Sequence, residues 1–245
     1  VLLVALCGVA VSFAGDSKQT SSSSAPNVPI GLQRNVKALG TRFTTGYERV
    51  TLAGSLTRNG EKATTLTAVY EPSRKMRLQG GDGKNVVYDG SAVKGSSSVS
   101  SSDEDLMESL FEDSPDGMLY LLPQARLFRP LMYRARLDDG KAAKYTGSYV
   151  DIYELILPVP TRAKTTARQK HFYFDSDTGL LMKVVYLDAN SGNKVQTLFQ
   201  NWKLVNGTMT PGLITRVENG TTKLSFTVSD ASVGASSKDN SFIVP

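Results

Sequence analysis

Cysteine, histidine and tryptophan each occur once in this chain of 245 residues, and that scarcity closes several doors. With Cys7 alone no intrachain disulfide can form, so the fold must rest on its core rather than on cross-links. With His171 alone, a Ser-His-Asp triad or a histidine-bound metal cluster would have to be built around that one residue. No G-x-S-x-G turn accompanies it, so a structural or surface histidine is expected. Beyond the first residues no apolar run approaches the ~20 residues that a membrane helix needs. No repeat of fixed period is present, which excludes propellers and solenoids. The Gly80–Asn85 stretch, GGDGKN, lacks the spacing and the Ser/Thr of a phosphate loop. Asp103, Glu104, Asp105, Glu108, Glu112, Asp113 and Asp116 lack the interleaved glycine of a calcium loop and read as a solvated helix face. No cofactor or metal is implied.

What is present begins with an address. The opening VLLVALCGVAVSFAGDS is an apolar run ending in Ser12-Phe13-Ala14, the small-any-small pattern of a signal peptidase site. We expect residues 1–14 to be a signal peptide without its basic n-region, cleaved after Ala14, and the protein to be periplasmic. A membrane anchor is the competing reading of the same run. Leu6 stands where a lipoprotein box wants a small residue before Cys7, which speaks against lipidation. Residues 15–26 form a serine-rich tether with nothing to bury, and residues 27–245 are expected to form a single domain. The net charge of +5 lies in the mature part and suits contact with an anionic lipid surface, without specifying one.

The first mature element reads as a helix opened by Pro29, with Ile30, Leu32, Val36 and Leu39 as its apolar stripe and its end near Gly40. The period then falls to two. Arg49–Arg58 and Lys62–Tyr70 flank Asn59-Gly60, the dipeptide that type I′ hairpins prefer. Lys75–Gln79, Asn85–Asp89 and Ser91–Lys94 continue the strands. Asp103-Glu104-Asp105 opens a helical region, and the apolar stretch Met118–Met132 is read as more helix lying over the sheet. Whether these helices are plain core or a mobile lid is left open by the pattern. Strands resume at Lys144–Leu157. The clearest hairpin follows, Lys170–Asp175 and Leu181–Leu187 around Asp175-Ser176-Asp177-Thr178-Gly179. Lys194–Leu204, Leu213–Glu218 and Thr222–Val228 complete an antiparallel meander with turns at Asn206-Gly207 and Asn219-Gly220. The expected class is α+β.

Asp177-Thr178-Gly179 matches the short motif of aspartic proteases, but a single copy is explained by a hairpin turn. Arg126, Arg129, Arg134 and Arg136 are interleaved with Leu127, Phe128, Leu131 and Met132. In an exported protein such a patch fits an anionic headgroup or an acidic partner better than a nucleic acid, and a solvated loop is its plain alternative.

The segments FYFDSDTGLLMKVVYLD (172–188), VQTLFQNWKLVNGTMTPGLITRVENG (195–220), TKLSFTVSDASV (222–233) and SFIVP (241–245) resemble, in order and content, the LolA/LolB-like lipoprotein-sorting superfamily. Two departures stand out: Leu181 replaces a frequent proline, and Gly212-Leu213 separates Pro211 from Ile214. No position matches the family's functional arginine. The resemblance implies a strongly curved antiparallel sheet, an incomplete β-barrel, with helices covering its concave side and an apolar cavity for acyl chains. By strand alternation the cavity wall would be Leu66, Met76, Leu78, Phe172, Phe174, Met182, Val184, Tyr186, Leu224 and Phe226. Each methylene withdrawn from water contributes roughly 0.8 kcal/mol, so one long chain is worth on the order of ten kcal/mol gross. The same side chains could also form a dry core. The resemblance therefore implies a non-enzymatic periplasmic carrier of lipid or lipoprotein acyl chains, with peripheral membrane contact and a protein partner in the inner or outer membrane. Two other classes stay open: an envelope sensor or interaction module on the same fold, and a hydrolase centred on Asp177 or His171.

Overall fold

Four Asn-Gly or Asp-rich turns set the topology, because each lets the chain reverse within two to five residues. Asn59-Gly60, Asn206-Gly207 and Asn219-Gly220 all take positive φ at both positions (46° and 75°, 47° and 74°, 47° and 84°), the geometry of a type I′ turn. Gly179 closes the fourth turn at φ 77°. A computed structural model of the chain describes residues 30–40, 49–71, 75–89, 93–95, 99–122, 127–136, 149–157, 168–188 and 191–234, without the side chains of 30, 31, 133–136 and 168. The expected signal peptide, tether and closing SFIVP segment lie outside these residues.

The strands are β1 (Arg49–Arg58), β2 (Thr64–Glu71), β3 (Lys75–Gly80), β4 (Asn85–Tyr88), β5 (Val93–Gly95), β6 (Leu127–Arg136) and β7 (Tyr149–Leu157). They continue with β8 (Arg168–Asp175), β9 (Leu181–Leu187), β10 (Lys194–Gln200), β11 (Lys203–Val205), β12 (Thr208–Thr210), β13 (Leu213–Glu218) and β14 (Thr221–Gly234). Twelve of them form one sheet in the order β5-β4-β3-β2-β1-β14-β13-β10-β9-β8-β7-β6, while β11 and β12 make a separate hairpin. Nearly every neighbour in the large sheet is also a neighbour in sequence. The exceptions are β10 against β13, between which the β11–β12 hairpin is inserted, and β1 against β14, which joins the two halves of the meander. The sheet is not closed, and β5 and β6 are its edges among the described residues: an incomplete barrel of α+β class, as expected.

Among the described residues three helices lie on the inner face: α1 (Ile30–Leu39), α2 (Ser101–Met107) and α3 (Pro115–Leu121), with a π-helical turn, Glu108–Glu112, between the last two. Helix α1 buries Leu32, Val36 and Leu39. It is held by polar contacts as well: the Tyr153 hydroxyl donates to Asn35 Oδ1 at 3.1 Å, Asn35 Nδ2 donates to the Gly179 carbonyl at 3.3 Å, and Arg34 donates to the Ser176 carbonyl.

Two expected elements are corrected. Met118–Met132 is not helical throughout: α3 ends at Leu121, and Leu127–Arg136 is the edge strand β6. Pro123 and Pro130 deny the helix two amide donors, and a strand tolerates proline only where one side is unpaired. Pro130 sits opposite Tyr153 on such an edge, with the register slipping on either side of Met132. Likewise Lys194–Leu204 is not one strand: it breaks at Asn201, whose φ is 55°.

At the β1–β14 junction the register shifts between Ala53 and Gly54, and the backbones close up. A Cβ at Gly54 would stand 2.0 Å from the Thr227 carbonyl oxygen. Gly54→Ala is therefore expected to destabilise the fold by about 1–3 kcal/mol, read from the urea midpoint; an unchanged midpoint would contradict the close approach.

Candidate functional site

Because successive side chains of a strand point to opposite faces, register alone assembles the inner face. Tyr153, Phe172, Val184, Thr197, Arg216, Leu224 and Arg58 stand opposite one another across β7, β8, β9, β10, β13, β14 and β1. The next row is Leu155, Lys170, Tyr186, Val195 and Glu218. The wall is mostly apolar and aromatic, yet it carries Lys170 and Arg216, which are 0% and 2% exposed.

These two cations are met by the segment that covers them. Helix α2, the π-helical turn and α3 bury Leu106, Met107, Leu110, Phe111, Met118 and Leu121 against the sheet. The Phe111 ring stands edge-on to Tyr70 at 5.7 Å. Their carboxylates point inward. Lys170 Nζ donates to Asp113 Oδ1 at 2.6 Å and to Glu108 Oε1 at 3.1 Å, lies 3.6 Å from Glu112, and sits 4.6 Å from the centre of the Tyr186 ring. Arg216 reaches Asp105 at 2.9 Å, Glu108 at 3.1 Å, Glu218 at 2.7 Å and the Tyr186 hydroxyl at 3.0 Å. Thr197 Oγ1 donates to Asp113 Oδ2 at 2.5 Å. The π-helical turn makes this convergence possible. Its extra residue lets the Asp113 amide donate to the Glu108 carbonyl at 2.9 Å, which brings Asp113 round to the side of Glu108.

A further carboxylate anchors the start of the cover. Asp103 accepts from Arg58 at 3.0 Å, from Lys84 at 2.6 Å, and from the Ser100 amide and hydroxyl at 2.9 and 2.7 Å. Burial by itself would raise its pKa, but these hydrogen bonds outweigh it and hold the carboxyl well below the usual carboxylate range. Burial raises Asp105, with Arg216 opposing. Arg216 itself is raised: burial works against its charge, and the neighbouring Tyr186, Glu218 and Asp105 more than restore it. The acidic cluster is thus not the solvated face that the sequence suggests. Asp103 and Asp113 are buried because cations meet them, Arg58 and Lys84 for the first and Lys170 for the second, while buried Asp116 accepts from the Tyr70 hydroxyl at 3.4 Å.

Of the ten expected wall residues, all are buried, and nine belong to one contiguous apolar cluster. Met182 is buried outside that cluster, beside the bulge where Phe174 pairs with Leu181. Leu66 and Leu78 also line a cleft of about 240 Å³ at the ends of the β1–β2 and β3–β4 hairpins. In the basic patch, Arg129 lies on β6 and donates to Glu154 at 2.6 Å on the outer face. Arg126 and the side chains of Arg134 and Arg136 lie outside the described residues. His171 pairs with the same Glu154 at 3.2 Å. Burial raises the Glu154 pKa, and hydrogen bonds from Arg129, Gln169 and His171 bring it below its ordinary value. Asp175, rather than Asp177, organises the Asp-Thr-Gly turn, accepting from the amides of Asp177 and Thr178 and from the Thr178 hydroxyl. Among the described residues no group of three or more His, Cys, Asp or Glu side chains is arranged to hold a metal.

Sequence reasoning missed the charged centre, although it left a trace. Lys170 shares its parity with Phe172 and Phe174, and Arg216 shares its parity with Ile214, so both had to face inward.

No family model matches the chain, and no curated protein does. Solved structures do. An outer membrane lipoprotein-sorting protein domain from Vibrio parahaemolyticus aligns at a TM-score of 0.51 with 14% identity, over 86% of this chain and 94% of that one. A LolA superfamily protein from Nitrosomonas europaea gives 0.50 and 12%, over 83% and 91%. A DUF1329 family protein from Desulfovibrio piger gives 0.52 and 12%, with the same coverage. At such identities the likeness is one of fold, and the fold is LolA-like.

Removing one member of a buried ion pair costs about 3–5 kcal/mol, whereas replacing both by apolar groups of similar volume is close to neutral. Lys170→Met should therefore lower the unfolding free energy by that amount, and adding Asp113→Leu should recover much of it; equal loss in both variants would contradict the pairing. The pH dependence has a defined sign. Asp103 and Glu154 have lowered pKa values, so their stabilisation is complete above pH ~5 and lost as pH falls through and below their unfolded values near 4. Asp105, being raised, works the other way and offsets part of this. Urea midpoints should fall on acidification from pH 6 to 3; a flat profile would contradict the two carboxylate clusters.

Proposed function

We propose that this protein is a non-enzymatic periplasmic carrier that shelters a lipid or lipoprotein acyl chain against the inner wall of its incomplete barrel. One observation carries the reading. The apolar wall of Phe172, Phe174, Val184, Leu224 and Phe226 is buried in one cluster with α1 and with a segment, residues 101–121, whose carboxylates are fastened to the wall by ion pairs. A carrier must bury a greasy surface when empty and yield it when loaded. A cover held by apolar side chains alone would leave exposed grease on both surfaces when it lifted. Here part of the hold is ionic, and water compensates separated charges far better than it compensates separated hydrocarbon. Loading then exchanges one apolar partner of the wall for another, so net affinity stays modest and release stays feasible. The LolA-like fold, shared with lipoprotein-sorting domain proteins, supports the same reading.

A second reading, an interaction module of the same fold, draws on the β6 edge, where Leu127, Leu131 and Met132 are exposed, as is Tyr149 on the adjoining β7. It does not need the wall to open.

The carrier reading is tested on purified mature protein by native mass spectrometry and organic extraction, together with titration of a fluorescent fatty acid. The expected result is co-purified lipid, or saturable uptake of about one chain per protein. Phe172→Asp or Phe226→Asp should abolish uptake, with circular dichroism reporting whether the fold survives. A folded wild-type protein that carries no lipid and takes up no fatty acid would sink this reading and leave the interaction module.

A further inference from the structure

The cleft at the ends of the β1–β2 and β3–β4 hairpins has a particular make-up. Its floor is apolar, formed by Leu56, Leu66, Leu78 and Val86. All four are inward-facing side chains of β1 to β4 and belong to the buried cluster. Its rim carries Arg58, Lys62 and Lys84, with Glu61 and Asp82 interspersed, and the cover segment closes one side with Asp103. At about 240 Å³ the space falls below the roughly 300–1,000 Å³ of a site that encloses a whole drug-sized ligand. It is the size for a headgroup and the first stretch of a chain.

The arrangement of charges gives the cleft a chemical preference. The Arg58 and Lys84 side chains are 26% and 29% exposed, so each presents donors to an incoming ligand, whereas Asp103 is 2% exposed. Arg58 and Lys84 converge on the two oxygens of one carboxylate, at 3.0 and 2.6 Å. That is the donor geometry which recognises a carboxylate or a phosphate of any origin. Asp103 occupies it as an internal ligand, and it belongs to the segment that covers the wall.

Resting on the carrier reading above, we infer that this cleft is the headgroup site of an anionic amphiphile. The ligand's carboxylate or phosphate replaces Asp103 on Arg58 and Lys84. Its tail enters along Leu56, Leu66, Leu78 and Val86. The exchange puts one anion in place of another, so Arg58 and Lys84 are never left without a counter-ion. It also frees the first carboxylate by which the cover is fastened, and so couples headgroup recognition to yielding of the wall. Lys62 lies at the same rim, on the exposed turn after β1, and adds a third cation at the mouth.

The test compares amphiphiles of one tail length and different heads, by isothermal titration or by displacement of a fluorescent fatty acid. Palmitate supplies a carboxylate, lysophosphatidic acid with a palmitoyl chain supplies a phosphate, and monopalmitoylglycerol supplies a neutral head. Wild type is expected to bind one or both anionic probes at least about tenfold more tightly than the neutral one, and which of them is preferred assigns the source of the anion. In Arg58→Gln/Lys84→Gln the ratio should fall to within about twofold. A Lys194→Gln control, on the exposed start of β10, should keep the wild-type ratio. Asp103→Asn, which removes the internal competitor's charge, should raise the ratio; the single Lys84→Gln variant, which keeps the Arg58–Asp103 pair, serves if the double variant does not fold. Equal binding of neutral and anionic probes by wild type, or an undiminished ratio in the rim variants, would overturn the headgroup site while leaving the carrier standing. Binding of none of the three would overturn the carrier reading, and this inference with it.

Discussion

The structure depends on an ionic seam between one acidic segment and the cations of the strands beneath it. Asp103 meets Arg58 and Lys84, Asp105 and Glu108 meet Arg216, and Glu108 and Asp113 meet Lys170. Without these partners two strand cations would be stranded on an apolar wall, a cost of several kcal/mol per ion. Without the cations, four carboxylates could not lie inward. The sheet needs the cover and the cover needs the sheet, and neither can be redesigned independently of the other.

The seam explains features that otherwise look unrelated. The π-helical turn at Glu108–Glu112 is uncommon in helices, and its i→i+5 bond brings Asp113 into reach of Lys170. Gly117 is required beside it, since a Cβ there would meet the Phe111 carbonyl oxygen at 2.0 Å. Tyr186 serves both cations, presenting its ring to Lys170 and its hydroxyl to Arg216. Apolar burial supplies most of the adhesion, through Leu106, Leu110, Phe111 and Met118. The charges set where the cover sits, and they give it a way to part that water can compensate.

How much of this was legible in the chain follows from which signals are local. Turns are local: Asn59-Gly60, Asn206-Gly207 and Asn219-Gly220 announced their hairpins through φ alone, and β1 and β13 have the expected bounds. Alternation is local too, and it picked ten wall residues that are all buried. The helix wrongly carried across Pro130 shows the limit of an apolar pattern, since Leu127, Phe128 and Leu131 suit helix and strand equally until the edge position of β6 is known. The ionic seam was illegible for a different reason. An acidic helix face looks solvated unless its partners are known, and Lys170 and Arg216 stand 57 or more residues away from Asp113 in sequence. Only the sheet order brings them under the same turn.

The direct test of the account is hydrogen exchange followed residue by residue, with and without a saturating long-chain fatty acid. If the seam is the separable contact, amides of 103–121 in the free protein open at lower free energy than those of β8, β9, β10 and β13, and ligand changes exchange in that segment first. If instead the segment opens only together with the strands, and ligand leaves its exchange unaltered, the cover is part of an inseparable core and the account fails.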